Sequence, residues 1–182
     1  MRLRRVLVSS QGKDTMTTRN FSKHLAGQIG ESLVVAELGR RGIVATAFSG
    51  NVPDIDLLAF KNNKTIHLQV KAWRMGAVSF NATRFLKIRF DGTQQVVEGF
   101  VDELDLNLIY VFVNIGNASG TDRFFILSQG ELAKQVRGGY ESFLSKHDGV
   151  RPRNHLTTHN AVSIEQLELY EDNWGLIQSY FD

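Results

Sequence analysis

The chain has 182 residues, of which 42% are hydrophobic, and its 21 basic and 19 acidic residues leave a formal net charge of +2. This length is enough for one well-buried core but not for two. Because the chain contains no cysteine, disulfide bonds, a thiolate nucleophile and cysteine-ligated metals are excluded. With so small a net charge, affinity for a polyanion would depend on how the charges are arranged.

No segment approaches the roughly 18 consecutive apolar residues of a membrane span. The N-terminal RLRRVLVSS is followed by polar residues, not by a secretory core and cleavage site. We therefore expect a cytoplasmic protein without membrane contact. Residues 1–20 are basic, rich in Ser and Thr, and predicted to form a flexible arm, while residues 21–182 are predicted to form a single domain.

A helix is predicted over residues 21–42. Glu31, Val34 and Leu38 recur at helical spacing, and Gly42 is a plausible C-terminal stop. Glu31 is therefore expected on the stripe of the helix that faces the interior.

Three strands are predicted after this helix, at residues 43–48, 54–60 and 65–73. The short polar turn KNNK (61–64) between the second and third strands is typical of an antiparallel hairpin. The region after it is less regular until two further apolar runs, LIYVFVNI (108–115) and RFFILS (123–128), which predict two more strands.

Helical patterns return near the C-terminus, at residues 129–136, 140–147 and 163–181. In the last of these, Ser163 and Gln166 fit a capping box. The order of elements predicts a mixed α/β (α+β) domain with a central sheet of about five strands flanked by helices.

Polar residues that suit phosphoryl chemistry lie on the predicted hairpin. Side chains alternate along a strand, so Gln69 and Lys71 share the face opposite Leu68 and Val70, and the hairpin would bring Asp56 beside them. Carboxylate, amide and carbonyl oxygens are ligands for Mg²⁺. Such an ion polarises a phosphate and lowers the pKa of bound water, and a nearby lysine can orient that water or stabilise developing charge.

The chain has an inward Glu on a helix, then an Asp on one strand and Q-x-K on the next. This order resembles the PD-(D/E)xK nuclease superfamily, which includes Holliday-junction resolvases and many restriction enzymes. The resemblance is carried by GQIGE (27–31), PDIDLLAF (53–60) and LQVKA (68–72), within about a quarter of the chain. It implies a restriction-endonuclease-like core of αβββαβ-type topology. It also implies an endonuclease that hydrolyses DNA phosphodiester bonds with Mg²⁺ or Mn²⁺.

The resemblance implies a role for each site residue. Asp56 would be the principal metal ligand, and Glu31 a second acidic group acting directly or through water. Gln69 would bind the metal through its side-chain oxygen and Val70 through its backbone carbonyl. Lys71 would be the catalytic lysine.

Two departures from the family pattern matter. Gln69 stands where an acid is usual, which removes one negative charge and should weaken metal binding. The literal PD pair ends at Asp54, so Asp54 is a rival to Asp56, although the spacing to Gln69 favours Asp56. The alternative function is a catalytically weak or inactive module of the same fold that binds nucleic acid or a protein partner.

Further residues are candidates for nucleic-acid contact because aromatic, guanidinium and polar groups can stack on bases or bind phosphates. They are Ser49, Asn51, Trp73, Arg74, Arg84 and Lys87. Each candidate has a competing interpretation. The loop residues could simply form a turn, the tryptophan could pack in the core, and the basic residues could be ordinary surface charges.

Two features near the C-terminus are further candidates for contact with partners. A second basic patch that could follow a nucleic-acid backbone comprises Arg151, Arg153 and His155. A possible homodimer surface is supplied by the aromatic residues of the last predicted helix, Trp174, Tyr180 and Phe181.

Overall fold

A computed structural model describes residues 16–48 and 54–182. The chain begins there with helix α1 (Met16–Arg40), so residues 16–20, which were predicted to belong to the arm, are helical. The first strands are β1 (Val44–Ala47), β2 (Leu57–Lys61), β3 (Lys64–Trp73) and β4 (Val78–Asn81). They are followed by β5 (Leu86–Asp91), β6 (Gln94–Phe100), β7 (Ile109–Asn114), β8 (Arg123–Ser128), helix α2 (Gln129–Ser145), strand β9 (His159–Val162) and the short helices α3 (Ile164–Leu167) and α4 (Gly175–Gln178).

Five strands form the central mixed sheet, in the order β1-β2-β3-β7-β8. Strand β3 is antiparallel to β2 and parallel to β7, and β8 is antiparallel to β7. Two small antiparallel sheets pair β4 with β9 and β5 with β6. The predicted class, a mixed α/β domain with a five-stranded sheet flanked by helices, is confirmed.

One detail of the topology differs from the expected αβββαβ order. The connection from β3 to the parallel strand β7 contains β4, a 3₁₀ turn and the β5–β6 hairpin instead of a helix, and α2 comes only after β8. The β5–β6 segment is rich in β-branched and aromatic residues and turns at Gly92, whose φ is +59°. Both features favour a hairpin over a helix.

The KNNK turn has the predicted hairpin geometry. Asn62 and Asn63 have φ values of 51° and 59°, the left-handed conformation that asparagine tolerates and that a type I′ turn requires at both central positions. Lys61 then pairs with Lys64, and the register continues to Leu57 opposite Leu68.

The sheet has a hydrophobic core on each face. Helix α1 covers one face, where Val34 and Leu38 pack against buried residues of β2, β3 and β7. Helix α2, together with the small β-sheets, covers the other face with an aromatic-rich core that includes Tyr110 and Phe112 of β7.

Helix α1 approaches β3 very closely at Gly30. A Cβ atom built on Gly30 would overlap the Cβ of Ala72. The absence of a side chain at Gly30 therefore lets the helix backbone pack closely against β3 at Ala72. This close approach brings the next residue, Glu31, to the level of the end of β3.

Helix α2 begins at the predicted position and is continuous. The Ser128 hydroxyl caps it by accepting a hydrogen bond from the Glu131 N–H at 3.2 Å. The two predicted helical patterns join because Val136, Tyr140 and Leu144 all face the core, and this burial outweighs the roughly 1 kcal/mol that each intervening glycine costs a helix.

The single helix predicted over residues 163–181 is wrong. After α3 and a 3₁₀ turn the chain bends at Asp172, whose φ is 49° and whose N–H donates to the Phe124 carbonyl at 2.9 Å. Trp174 and Phe181 are thereby turned into the α1 core, at 4% and 2% exposure. Tyr180 packs against the same core, so these aromatic residues do not form the free dimer surface expected from the sequence.

No helix within residues 16–48 and 54–182 is long and apolar enough to cross a membrane.

Candidate active site

Strands β2 and β3 separate where Asp56 enters the sheet. Their last residue pair is Leu57 with Leu68, whereas β3 continues to Trp73 alongside β7. The backbone of Asp56 is held on both sides, because its N–H donates to the Leu68 carbonyl and its own carbonyl accepts from the Phe48 N–H, each at 2.9 Å. We call the opening beside β3 at this point the fork.

The Asp56 side chain takes the place of the missing strand partner. Its Oδ2 atom accepts a hydrogen bond from the Val70 N–H at 2.7 Å and another from the Gln69 side-chain amide. The N–H and C=O of a strand residue point to the same edge, so the Val70 carbonyl also points into the fork. Asp56 and the Val70 carbonyl thus present oxygen atoms to the same space.

Gln69 is oriented by Asp56. The side chain is only 4% exposed, and its Nε2 donates to Asp56 Oδ2. In this arrangement the amide is a donor to the carboxylate, not an oxygen ligand beside it. A half-turn of the amide would exchange its NH₂ group and its oxygen, which is the change that metal ligation by Gln69 requires.

Glu31 and Lys71 complete a charged cluster with Asp56. Burial lowers the pKa of Lys71, and the negative charges of Asp56 and Glu31 oppose that shift. Burial also raises the pKa of Glu31; repulsion from Asp56 adds to this shift and attraction to Lys71 opposes it. The four residues predicted as one site, Glu31, Asp56, Gln69 and Lys71, therefore lie together at the fork.

The oxygen atoms at the fork fit a hard divalent cation. Within the two described ranges no group of three or more His, Asp or Glu side chains is placed to hold a metal ion. The fork offers two carboxylates, an amide and a backbone carbonyl. Mg²⁺ is often held by one or two carboxylates, with waters and substrate phosphates completing its shell, so this donor set is compatible with such an ion.

Tyr110, a residue near the fork, was missed by sequence reasoning. Tyr110 lies opposite Gln69 on β7, and its buried hydroxyl has no hydrogen-bond partner among the described residues, as is also true of the Gln129 side-chain oxygen. Burial raises the Tyr110 pKa, and the positive charge of Arg84 counteracts the shift. The polar hydroxyl within the apolar run LIYVFVNI was the available signal.

Asp54 does not take part in the fork. Its φ of 68° interrupts the extended backbone that was predicted over residues 54–60, and strand β2 begins only at Leu57. The Asp54 carboxylate instead forms an ion pair with Arg84. Asp56 is therefore the aspartate that contacts Gln69.

Arg84 and Lys87, two candidates for nucleic-acid contact, line one open cleft of about 490 Å³ together with Asp54 and Gln129. Lys87 Nζ is 2.7 Å from the Asp102 carboxylate, so both basic side chains already have acidic partners. The cleft is consequently of mixed charge.

The remaining nucleic-acid candidates lie in different environments. Trp73 is 8% exposed and packs against Phe112 and Phe125, so it offers no free ring face for a base in this conformation. Arg74 is exposed at the end of β3. Ser49 and Asn51 lie outside the described residues.

No family model matches the chain, and no curated protein matches it. Among solved structures it is similar to a bacterial homing endonuclease, I-Ssp6803I, with 13% sequence identity and a TM-score of 0.44. The alignment covers 87% of this chain and 94% of the endonuclease. A likeness this weak says nothing about what the present chain binds or cleaves.

Proposed function

We propose that the fork is the active centre of a metal-dependent endonuclease that hydrolyses DNA phosphodiester bonds. The observation that supports this most is the placement of Asp56: its carboxylate is hydrogen-bonded to the β3 backbone at an open strand edge, with Glu31 and the half-buried Lys71 beside it. The same residues carry the resemblance to the PD-(D/E)xK nucleases.

The electrostatics of the fork favour a bound cation. Glu31 and Asp56 repel each other, and burial disfavours the ionised form of Glu31. A positive ion between the two carboxylates would offset their repulsion and favour the ionised form of Glu31. Lys71 alone does not achieve this, because the pKa of Glu31 remains raised in its presence. A bound divalent ion would supply Lewis acidity at a phosphate oxygen.

Lys71 is suited to stabilise the charge that develops on the phosphate. Its ammonium group is half-buried, which lowers its pKa, while the negative charges of Asp56 and Glu31 favour the charged form. Removal of bulk water strengthens its attraction to an anion, and a pre-positioned donor requires little reorganisation during the reaction. Lys71 would therefore donate to a non-bridging phosphate oxygen.

Gln69 is proposed to act through its amide oxygen once a cation is present. Without a cation its NH₂ group faces the Asp56 carboxylate, which is the favourable orientation beside a bare negative charge. A cation at the carboxylate would repel the NH₂ group and favour the rotated amide. Gln69 would then be a neutral ligand, giving a site with one negative charge fewer than an acidic residue would provide.

The alternative is a catalytically inactive module that binds nucleic acid or a protein partner. The presence of Gln69 in place of an acid favours this alternative, because among the described residues it leaves two carboxylates, those of Glu31 and Asp56, at the fork. The two functions differ in whether the protein binds a divalent metal through Asp56.

Titration of the purified protein with Mn²⁺ by calorimetry tests the proposal directly. The wild-type protein should bind Mn²⁺, and Asp56→Asn should lose most of that affinity. Asp54→Asn is the matched control, since it removes a neighbouring carboxylate that lies outside the fork, and it should bind Mn²⁺ like the wild type. Absence of Mn²⁺ binding by the wild type, with and without DNA, would favour the inactive module.

A further inference from the structure

A second polar pocket of about 430 Å³ lies between the C-terminal half of α2 and strand β9. Its lining includes three basic residues, Lys146, Arg151 and His159, and no acidic one. None of the three forms an ion pair with an Asp or Glu in the part of the chain that the structure describes. Elsewhere many of the exposed arginines and lysines are paired with acids, as Arg89 and Arg123 are.

Arg151 lies against two aromatic rings in this pocket. Its guanidinium group lies 4.5 Å from the ring centroid of Tyr140 and 4.7 Å from that of Phe143. Tyr140 is itself anchored by donating to the Gln95 side chain. The Arg151 Nε atom is buried without a hydrogen-bond partner among the described residues. Contact with two rings therefore positions the guanidinium and does not consume its charge.

Amide donors lie beside these basic residues. The Gln166 side-chain oxygen accepts from the Ser163 N–H at 3.1 Å as part of the helix cap, which leaves its NH₂ group as the free end of the amide. That group lies 3.5 Å from the position that a Cβ of Gly139 would occupy, and Gly139 lines the pocket. Asn160, also in the lining, is only 8% exposed. The helix cap thus orients an N–H donor toward the basic group.

We infer that this pocket binds a phosphate group of the DNA backbone, at a position remote from the fork. Basic and amide donors, with no acidic residue in the described lining, match a phosphodiester, and planar arginine is well suited to its oxygens. The inference rests on the proposed function, because the phosphate belongs to the DNA that the fork would cleave. Such binding is independent of base sequence and would set the register of the duplex.

The spacing is compatible with one duplex reaching both places. Helix α2 starts at Gln129, which lines the cleft containing Asp54 and Arg84, and it ends beside Lys146. At 1.5 Å per residue this separation is about 25 Å, or roughly seven base pairs at 3.4 Å each. A duplex lying along α2 would therefore place a phosphate in the pocket while another part of its backbone lies at the cleft that Asp54 and Arg84 line, two residues along the chain from Asp56.

The test measures the affinity of a short fluorescein-labelled duplex by anisotropy in EDTA, where metal-dependent cleavage cannot occur. The double variant Lys146→Gln with His159→Gln removes exposed basic groups and leaves Arg151 and its two aromatic neighbours, Tyr140 and Phe143, unchanged. Its affinity should fall about tenfold, and the slope of log affinity against log salt should become shallower by about 0.9 for each phosphate that the protein no longer neutralises. Lys134→Gln, on the same helix but outside the pocket, should bind like the wild type.

An unchanged affinity and salt slope in the double variant would overturn the inference. A second arm follows the His159 ring by NMR: the duplex should shift its resonances, whereas a response to inorganic phosphate alone would mean a site for small phosphate ligands. Failure of the proposed function would give a different result. The wild type would then not cleave DNA with Mg²⁺, although the double variant would still bind the duplex more weakly than the wild type.

Discussion

Replacing the Asp56 side chain should weaken the fold as well as the site. In Asp56→Ala the Val70 N–H and the Gln69 amide are both left without their acceptor. In Asp56→Asn the side-chain oxygen remains and can still accept from the Val70 N–H, although the charge is gone. The two variants therefore separate the structural function of the oxygen from the function of the charge.

The expected magnitudes follow from these hydrogen bonds. A hydrogen bond to a charged group contributes about 1.5–3 kcal/mol, and a buried N–H left without a partner costs about 1–3 kcal/mol. These contributions overlap, and relief of the repulsion with Glu31 offsets part of them, so Asp56→Ala should reduce the unfolding free energy by about 2–4 kcal/mol. Asp56→Asn should reduce it by about 1 kcal/mol.

Urea denaturation in EDTA measures both effects, and thermal melting provides a second measurement. For a chain of this size 1 kcal/mol corresponds to about 2–4 °C in Tm, so the alanine variant should melt roughly 5–15 °C lower. Asp54→Asn, at an exposed ion pair, should change the unfolding free energy by less than about 1 kcal/mol. Equal stability of Asp56→Ala and the wild type would refute the inference that the Asp56 carboxylate completes the edge of β3.

Three further predictions concern the same region. Glu31→Gln should stabilise the metal-free protein at neutral pH. Because the pKa of Glu31 is raised in the folded state, the wild type loses stability as pH rises from about 4.5 through the folded pKa. In urea titrations the advantage of the variant should therefore shrink toward zero near pH 4.5, and a pH-independent difference would contradict this. The lowered pKa of Lys71 should appear in ¹³C NMR of reductively methylated protein as one resonance that titrates below the usual lysine range and is missing in Lys71→Met. Gly30→Ala should destabilise the protein by about 1–3 kcal/mol through overlap with Ala72. At Gly27 an added Cβ meets no atom within 4 Å, so Gly27→Ala should stabilise the protein by up to about 1 kcal/mol. A stability change of the same sign in both variants would contradict the close approach of α1 to β3.

The hairpin and the core of the site could be predicted because local rules determine them. A two-residue turn at Asn62 and Asn63 fixes the register that ends with Leu57 opposite Leu68. Extending that register by one residue sets Asp56 beside Gln69, and alternation then places Lys71 on the same face as Gln69. Each of these steps depends on residues within about fifteen positions of one another.

Other features depend on contacts between distant parts of the chain. Parallel pairing of β3 with β7 brings Tyr110 opposite Gln69 across about forty residues, and no short-range pattern records such a pairing. The left-handed backbone of Asp54 and its ion pair with Arg84 likewise arise from tertiary structure. The bend at Asp172 interrupts an apparent helix because burying Trp174 against α1 is more favourable than continuing the helix.

Cleavage of supercoiled DNA in the presence of Mg²⁺ shows whether the fork is the active centre of a nuclease, with wild type compared with Lys71→Met and Lys64→Met. Both lysines lie on β3, but Lys64 is exposed at the hairpin turn, where its ammonium group contacts the Asp182 carbonyl. We expect metal-dependent cleavage that falls at least about 100-fold in Lys71→Met and is unchanged in Lys64→Met. Cleavage that persists in EDTA, or equal rates in Lys71→Met and the wild type, would contradict it.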